Sequence, residues 1–428
     1  MTKHTYDIYD EAFYEFDVLG RLKVYVIPKP GFAKTFVSAS VPLGSVHEGY
    51  KDPTNQTTHV PRGIAHFLEH KLFEYEGKDI SKDFSKHEAS VNAYTDHHQT
   101  TYLFSATGHI NENILRLLNM MYFPNITDEG VEKEKPIIQE ELNMHGDDPY
   151  YLAHRSLLKN MYTVHPLRDE VLGSKDSIND MTKEALLNMH EAYYTPENTH
   201  VIIVGDVDPS AIEQMLNASL ALPDKVFKKP LPIKKEVSDT VNTPYETATF
   251  DMETPLLMMG IKLTRSTFEN PKPIMNFLKY SIALEAVFST SSKAYEALLE
   301  QGIVNDAFGV DVVFEKSYAH GLLFAETNDV EALRHALLNI LKTVKKEGIS
   351  SEEFIHIKRK MIGHHISAFD RLEGLASEIN DYLQFGLYFH DLPAMLESIN
   401  LEQVNAALRS LDEGSIALFS GVPLSTKQ

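Results

Sequence analysis

The sequence predicts an α+β fold with two homologous domains, each a mainly antiparallel β-sheet covered by α-helices. In the first half, strand-like segments rich in Val, Phe and Tyr alternate with helical ones. At residues 222–244, prolines and lysines replace the periodic pattern, which indicates a linker. The second half then repeats the same order of segments, as a duplicated unit would. We predict an N-terminal domain at 1–225, a linker at 226–244 and a C-terminal domain at 245–428.

The N-terminal domain is predicted to open with strands and to continue with a helix. Residues 13–28 and 35–46 have strand composition and contain Gly and Pro turn signals. In 61–75, apolar residues recur at spacings of three and four, which predicts an amphipathic helix. The remaining predictions are strands within 90–106, helices at 110–122, 128–144, 148–161 and 181–194, and a buried strand at 201–204.

The C-terminal domain is predicted from the same patterns. Its expected strands are 256–263, a pair within 307–326, and 415–419. Its expected helices are 274–288, 293–301, 330–346, 351–368, 373–385 and 401–410. No His occurs from 201 through 319, so this half carries no metal motif of its own.

Composition narrows the classes of function. The chain has no cysteine, so any metal must be held by its 20 His and its carboxylates. The formal net charge of −21 opposes binding to nucleic acid. Because the sequence shows no signal-peptide pattern and no apolar run of about 20 residues, we expect a cytoplasmic protein without membrane insertion.

The helix in 61–75 contains a candidate metal site, the pattern His66-x-x-Glu69-His70. At about 100° per residue, the two histidines lie about 40° apart and one turn apart along the helix. Their imidazoles can therefore point at one metal ion, and zinc is the metal that such pairs favour. Glu69 is close enough to hydrogen-bond a water on the metal but is angled away from coordination, which predicts a general base.

Chance is the alternative explanation of this pattern, because a chain with 20 His can place two of them on an exposed helix face without function. The setting favours a metal site, since the pair lies on a well-formed helix and the sequence holds no other catalytic arrangement. A catalytic zinc also needs a third protein ligand.

Two glutamates downstream are candidates for that ligand. Glu134 and Glu141 are seven residues apart in a helical stretch, so they lie within about 20° of each other on one face. One can bind the metal while the other supports it. Pro136 would kink or interrupt this helix outside its first turn. Other acidic residues compete as candidates: Glu129, Glu132 and Glu140.

Together, the segments 66–70 and 134–142 resemble the inverted zinc motif and downstream glutamates of the pitrilysin/insulinase family of metallopeptidases. The resemblance is specific over about residues 13–209 and looser over the second half. Four further segments are similar to family signatures: 90–95 (Ser-Val-Asn-Ala-Tyr-Thr), 165–173 (from His-Pro to Gly), 194–198 (Tyr-Thr-Pro-Glu-Asn) and 204–207 (Val-Gly-Asp-Val).

The resemblance implies a role for each matched residue. His66, His70 and Glu141 would bind one Zn²⁺ per chain. Glu69 would be the general base, and Glu134 would be a catalytic-site carboxylate that supports a ligand without binding the metal. Glu141 is preferred over its neighbour at 140 because only Glu141 keeps the seven-residue phase with Glu134.

The resemblance also implies how a peptide substrate would bind and react. Asn92 and Ala93 would lie on an edge strand that pairs with the extended peptide backbone. Zinc would lower the pKa of its water to about 7, and Glu69 would take the proton. The chain would form half of a clamshell that encloses the peptide.

One departure from the family pattern concerns the second half. The family's shorter bacterial members carry an Arg and a Tyr there that bind substrate, whereas the corresponding segment here, 291–308, has Leu298, Leu299 and Asn305. No Arg occurs between Arg265 and Arg334. We therefore expect a homologous subunit to supply both residues in a heterodimer, with a homodimer as the alternative.

These observations predict a zinc-dependent endopeptidase, the catalytic subunit of a dimer. The alternative is a non-catalytic structural or binding subunit of a peptidase-like complex, because the missing Arg and Tyr indicate dependence on a partner. A hydrolase of non-peptide substrates gains no support from the sequence.

Overall fold

A computed structural model describes residues 1–6, 11–75, 78–223, 228–264 and 273–424. The chain forms two compact units, each assembled from three segments. The first unit consists of Met1–Asn143, Asp169–Ile233 and Ile366–Gln384. The second unit consists of Met144–Arg168, Lys234–His365 and Phe385–Gln428.

The first unit is built on a seven-stranded sheet with two small sheets beside it. Its strands are β1 (Thr2–Tyr6), β2 (Glu11–Val18), β3 (Leu22–Pro28), β4 (Thr35–Val41), β5 (Gly49–Lys51), β6 (Thr57–His59), β7 (Glu74–Tyr75), β8 (Lys78–Asp79), β9 (Ala89–Thr95), β10 (Thr100–Ala106), β11 (His200–Gly205) and β12 (Lys229–Pro230). The main sheet has the order β1-β2-β3-β11-β4-β10-β9, and β12-β5-β6 and β7-β8 form the others. Neighbours in the main sheet are antiparallel except β3 and β11, and β9 is an edge strand.

Helices pack against this sheet. In chain order, the helices of this half are α1 (Ile64–Leu72), α2 (Ser81–Lys86), α3 (Ile110–Tyr122), α4 (Asp128–Gly146), α5 (Pro149–Met161), α6 (Lys175–Asn179), α7 (Lys183–Tyr193) and α8 (Pro209–Ser219). Of these, α5 belongs to the second unit. One apolar core joins sheet and helices, with buried residues from β2, β3, β4, β10 and β11 packed against those of α1, α3 and α7. Both helices of the metal motif, α1 and α4, contribute buried residues to this core.

The second unit has a five-stranded sheet of order β13-β17-β14-β16-β15, antiparallel except for β13 and β17. Its strands are β13 (Tyr245–Phe250), β14 (Leu256–Lys262), β15 (Val304–Phe314), β16 (Ala319–Thr327) and β17 (Ile416–Pro423). The helices of this half are α9 (Pro273–Phe288), α10 (Lys293–Glu300), α11 (Val330–Glu347), α12 (Ser351–Ala368), α13 (Leu372–Leu383), α14 (Leu392–Ser398) and α15 (Leu401–Ser410). None of the described helices is long and apolar enough to span a membrane.

The predicted fold class is confirmed, since both sheets are mainly antiparallel and carry helices. The compact units differ from the predicted domains at two helices, because α5 belongs to the second unit and α13 belongs to the first. In the first unit, the side chain of Asn380 on α13 contacts His200 at the start of β11, at 2.7 Å, and Gln99 just before β10, at 3.0 Å. The domain limits at 225 and 245 stay a prediction, and positions 226–227 of the proposed linker lie outside the described residues.

The expected break at Pro136 does not occur. Helix α4 runs through this residue, although proline removes the hydrogen bond to the carbonyl of Glu132. Glu134 on one side and Ile138 on the other are held by tertiary contacts, the first to His70 and the second in the core. Packing on both sides therefore keeps the helix continuous.

Candidate metal centre

Helix α1 carries both histidines and is buried on nearly every side. It begins after Gly63, whose φ of 86° and close approach to the carbonyl of Leu172, 2.2 Å from where a Cβ would lie, require glycine. The helix packs against β9, β10 and α7. His66, Glu69 and Lys71 are buried, so the polar side of the expected amphipathic helix faces protein groups rather than solvent.

Three side chains bring metal-binding atoms together. One ligand atom from each of His66, His70 and Glu141 lies within 4.8 Å of the others. Nε2 of His66 is 3.5 Å from Oε1 of Glu141, and Nε2 of His70 is 3.5 Å from Oε2. Ligands about 2.1 Å from a tetrahedral zinc are about 3.4 Å apart, so these separations are of the size that zinc ligands show, and three protein ligands would leave a fourth position open. Among the described residues, no other group of His, Asp and Glu converges in this way.

Glu134 lies behind His70. Its Oε1 accepts a hydrogen bond from Nδ1 of His70 at 3.0 Å. Because Nδ1 is engaged by Glu134, Nε2 is the nitrogen of His70 that remains to bind a metal. A carboxylate that accepts from the second nitrogen of a ligand histidine is the usual way in which proteins orient such ligands.

The charges of this cluster shift the ionisation of its members. Burial lowers the pKa of His70, but its hydrogen bonds to Glu134 and Glu141 and the nearby charge of Glu69 raise it more, to about 9. Hydrogen bonds from His66 and His70 hold the pKa of Glu141 far below its usual value. Without metal, the site therefore holds a proton at His70 that a metal must displace.

We expect zinc affinity to rise with pH between about 6.5 and 9. Below the raised pKa of about 9, His70 is mainly protonated, and zinc binding must release that proton. The affinity should change by up to about tenfold per pH unit in this window. The same protonation stabilises the metal-free fold below pH 6.5, and this stability is lost as pH rises through 9.

Competition with a chelator of known affinity, measured from pH 6 to pH 10, checks this dependence. The Glu134→Gln variant should shift the rise to lower pH, because it removes one of the two carboxylates that hydrogen-bond His70. A zinc affinity that is flat from pH 6.5 to 9 in the wild type would contradict the assignment of His70.

Glu69, the predicted general base, is held by a hydroxyl group. Thr95 Oγ1 donates to Glu69 Oε2 at 2.5 Å. Thr100, which is buried and paired opposite Thr95 in the β9–β10 hairpin, lies 3.2 Å from Thr95 and donates to the carbonyl of Leu43. The hairpin thus orients the Glu69 carboxylate through one of its two oxygens.

Lys71 is almost fully buried, with 1 % of its side chain exposed. Its ammonium group contacts Glu74, donates to the carbonyl of Gly130 at 3.1 Å, and lies 3.4 Å from Oε2 of Glu134. The lysine therefore joins α1 to the start of α4 next to the metal-binding atoms.

The predicted substrate-binding residues lie on β9, at the edge of the main sheet. Asn92 is exposed and Ala93 is half-buried. The backbone N–H of Ala93 donates to the side-chain oxygen of Asn92 at 2.9 Å. A peptide that pairs with this edge would have to displace that oxygen from the N–H group.

The structure thus brings five of the predicted residues into one cluster and places the other two on the edge strand beside α1. The cluster contains His66, Glu69, His70, Glu134 and Glu141. Two residues without a predicted role also belong to it, Thr95 and Lys71. Thr95 ends the segment 90–95 that is similar to a family signature, which is a signal for it in the sequence. No such signal marks a lysine one position after a ligand histidine.

Comparison with known proteins identifies the family of this chain. Residues 39–175 match the family model described as Insulinase (Peptidase family M16), and residues 180–361 match the one described as Peptidase M16 inactive domain. A chain from Bacillus subtilis, called the uncharacterized zinc protease YmfH, is 32% identical over 409 residues, which cover 94% of this chain and 95% of that one.

Solved structures share the fold. An M16-like protein from Alicyclobacillus acidocaldarius has a TM-score of 0.91 and 28% identity, over 97% of this chain and 99% of that one. The periplasmic protease PqqL from Escherichia coli has a TM-score of 0.73 and 18% identity, over 98% of this chain but 48% of that chain. The fold and the site define a peptidase-family protein with a His, His and Glu metal motif. The chain belongs to the insulinase family, peptidase family M16, as its sequence motifs predict.

Proposed function

We propose that this chain is a zinc-dependent endopeptidase and the catalytic subunit of a dimer. The observation that carries the proposal is the convergence of His66, His70 and Glu141 on one point, with Glu69 on the same helix. A catalytic zinc site has three protein ligands and an open fourth position, and this donor set matches that pattern. The cytoplasmic location expected from the sequence belongs to this proposal.

The chemistry follows from the positions of these groups. Zinc held there would polarise a peptide carbonyl and lower the pKa of a bound water to about 7. Glu69 accepts the proton of the attacking water, and Thr95 holds one of its oxygens so that the other can reach that proton. Glu134 keeps His70 in the orientation that directs Nε2 to the metal.

The substrate we propose is an extended peptide bound along β9. Asn92 and Ala93 offer backbone groups at the free edge of the sheet, where peptide pairing gives affinity with little sequence preference. The chain's net charge of −21 favours basic peptides where it extends to the binding surface.

A homologous partner is part of the proposal because the second unit lacks the expected Arg and Tyr. Of the three residues found there instead, Leu298 is buried and Leu299 is exposed on α10, and Asn305 donates to Glu326 Oε2 at 2.8 Å. The PqqL chain is about twice as long as this one and has this fold over one half, so in that protein the fold is joined to a further segment of similar length. A homodimer is the alternative arrangement.

A quenched-fluorescent peptide library, incubated with the zinc-loaded chain alone and with its closest homologous chain from the same cell, tests this function. We expect cleavage with the partner, and chelation of zinc should stop it. Cleavage by the chain alone, without gain from the partner, would contradict the heterodimer and leave the peptidase assignment intact.

A non-catalytic subunit is the second candidate function. The match of residues 180–361 to the model of the inactive domain and the absence of the Arg and Tyr favour it. Bound zinc without cleavage, with the partner and without it, would support this function and overturn the endopeptidase.

A further inference from the structure

Lys71 is a buried charged group that the proposed chemistry does not use. It follows His70 directly on α1, and its side chain is 1 % exposed. A lysine is rarely buried this far unless it is paired. Its partners are two carboxylates, Glu74 and Glu134, and the backbone carbonyl of Gly130.

Through Glu134, this lysine reaches the metal-binding atoms. One oxygen of Glu134 accepts from Nδ1 of His70 at 3.0 Å, and the other lies 3.4 Å from Nζ of Lys71. Both oxygens are thus engaged on the side away from the metal position. Glu141, about two turns further along the same face of α4, lies 3.5 Å from Nε2 of each histidine instead.

The ammonium group of Lys71 approaches the backbone of α4 at a glycine, Gly130. A Cβ at Gly130 would lie 3.1 Å from Nζ of Lys71 and 3.1 Å from an oxygen of Glu74. Such contacts are tighter than most that a Cβ makes, so a larger residue would push the ammonium group aside by a few tenths of an ångström. Glycine near the start of a helix costs stability relative to alanine, and here it leaves room for the lysine.

The positive charge of Lys71 acts on the position of the Glu134 carboxylate. Glu134 and Glu141 lie on the same helix face, both within reach of His70. An unrestrained Glu134 carboxylate would be attracted to a divalent ion and could compete with Glu141 as its ligand. The Lys71 ammonium attracts Glu134 in the opposite direction.

We propose that Lys71 is a positioning residue for the metal centre. Its ammonium holds the outer oxygen of Glu134, so that this carboxylate orients His70 and stays out of the coordination of the metal. The inference rests on the proposed function, since it takes His66, His70 and Glu141 as the metal ligands.

The test compares Lys71→Met with the wild type. Methionine keeps a long unbranched side chain in the same space but removes the charge. We expect zinc to bind about 10–100-fold more weakly, as for the loss of other outer partners of metal ligands. We also expect a changed visible absorption spectrum of Co²⁺ bound in place of zinc, because Glu134 becomes free to enter its coordination.

Two further variants keep the test valid if Lys71→Met does not fold. Gly130→Ala keeps the lysine but crowds its ammonium group, and it should alter the Co²⁺ spectrum in the same direction. Lys71→Arg keeps the charge and should weaken zinc binding less than methionine does.

Lys29→Met is the matched control, because Lys29 is a buried lysine paired with Glu11 in the same unit, away from α1. It should lower the melting temperature without changing zinc affinity or the Co²⁺ spectrum.

The outcomes separate this inference from the proposed function. Unchanged zinc affinity and an unchanged Co²⁺ spectrum in folded Lys71→Met, or in Gly130→Ala, would overturn the inference alone. Failure of the wild type to bind zinc at all would overturn the proposed function and this inference with it.

Discussion

Replacing Glu69 by glutamine is expected to abolish peptide cleavage while the protein keeps its zinc. The glutamine side chain has the same shape, and its amide oxygen can still accept the hydrogen bond from Thr95. It cannot accept the proton of the attacking water. General-base catalysis is worth about 10²–10⁴-fold, so cleavage should fall by at least that amount. The measurement is the initial rate on the peptide library, with the proposed partner present, beside the zinc content of the same preparation.

Zinc content serves as the control for this result. Glu69 does not belong to the group of converging ligand atoms, so zinc should stay near one per chain in Glu69→Gln. Cleavage at the wild-type rate in this variant would exclude Glu69 as the base. Loss of the zinc together with activity would instead show that Glu69 holds the metal.

Replacing Glu141 by glutamine should remove the zinc itself. Glu141 supplies the only carboxylate oxygen of the converging group in the described residues, and its charge balances the metal. A neutral amide is a poor ligand for zinc, so affinity should fall by more than the roughly 10–100-fold that an outer partner is worth. Activity should fall with it. Chelator competition measures the affinity, and melting of the metal-free protein reports whether the fold is retained.

Glu140→Gln is the matched control for this prediction. Glu140 is the next residue on the same helix, but it is exposed to solvent. The substitution removes the same charge one position away and should leave zinc binding unchanged. Equal losses in the two variants would mean that overall charge, rather than ligation, governs the binding. Loss in Glu140→Gln alone would contradict the seven-residue phase argument.

Helix geometry explains why much of the site could be predicted from sequence. On a helix, the four-residue spacing of His66 and His70 places both side chains on one face. The seven-residue spacing does the same for Glu134 and Glu141. Both helices formed where the apolar spacing indicated, so the four side chains meet. Turn signals and alternation in the same way predicted the strands β9 and β10 within 90–106.

Contacts between distant segments could not be predicted in this way. The hydrogen bond from Thr95 to Glu69 depends on how the β9–β10 hairpin packs on α1, which no local spacing determines. The burial of Lys71 depends on Gly130, 59 residues away. Likewise, α5 lies in the first half of the chain but belongs to the second unit, and α13 lies in the second half but belongs to the first unit. Packing, rather than sequence order, decides these assignments.

The break in the helix that the local sequence predicts at Pro136 is also absent from the structure. The missing hydrogen bond of a proline costs stability in a helix interior. Contacts of Glu134 with His70 and of Ile138 with the core hold α4 together across it. Tertiary packing therefore outweighs this local preference at the helix that carries the proposed third ligand.

Anomalous X-ray diffraction at the zinc absorption edge, from crystals of the zinc-loaded chain, tests the central claim most directly. The account predicts one anomalous peak, about 2.0–2.2 Å from Nε2 of His66, Nε2 of His70 and an oxygen of Glu141. Glu134 should lie outside that distance and contact His70. A zinc-loaded crystal with no peak among these three side chains, or with its peak elsewhere, would contradict the account.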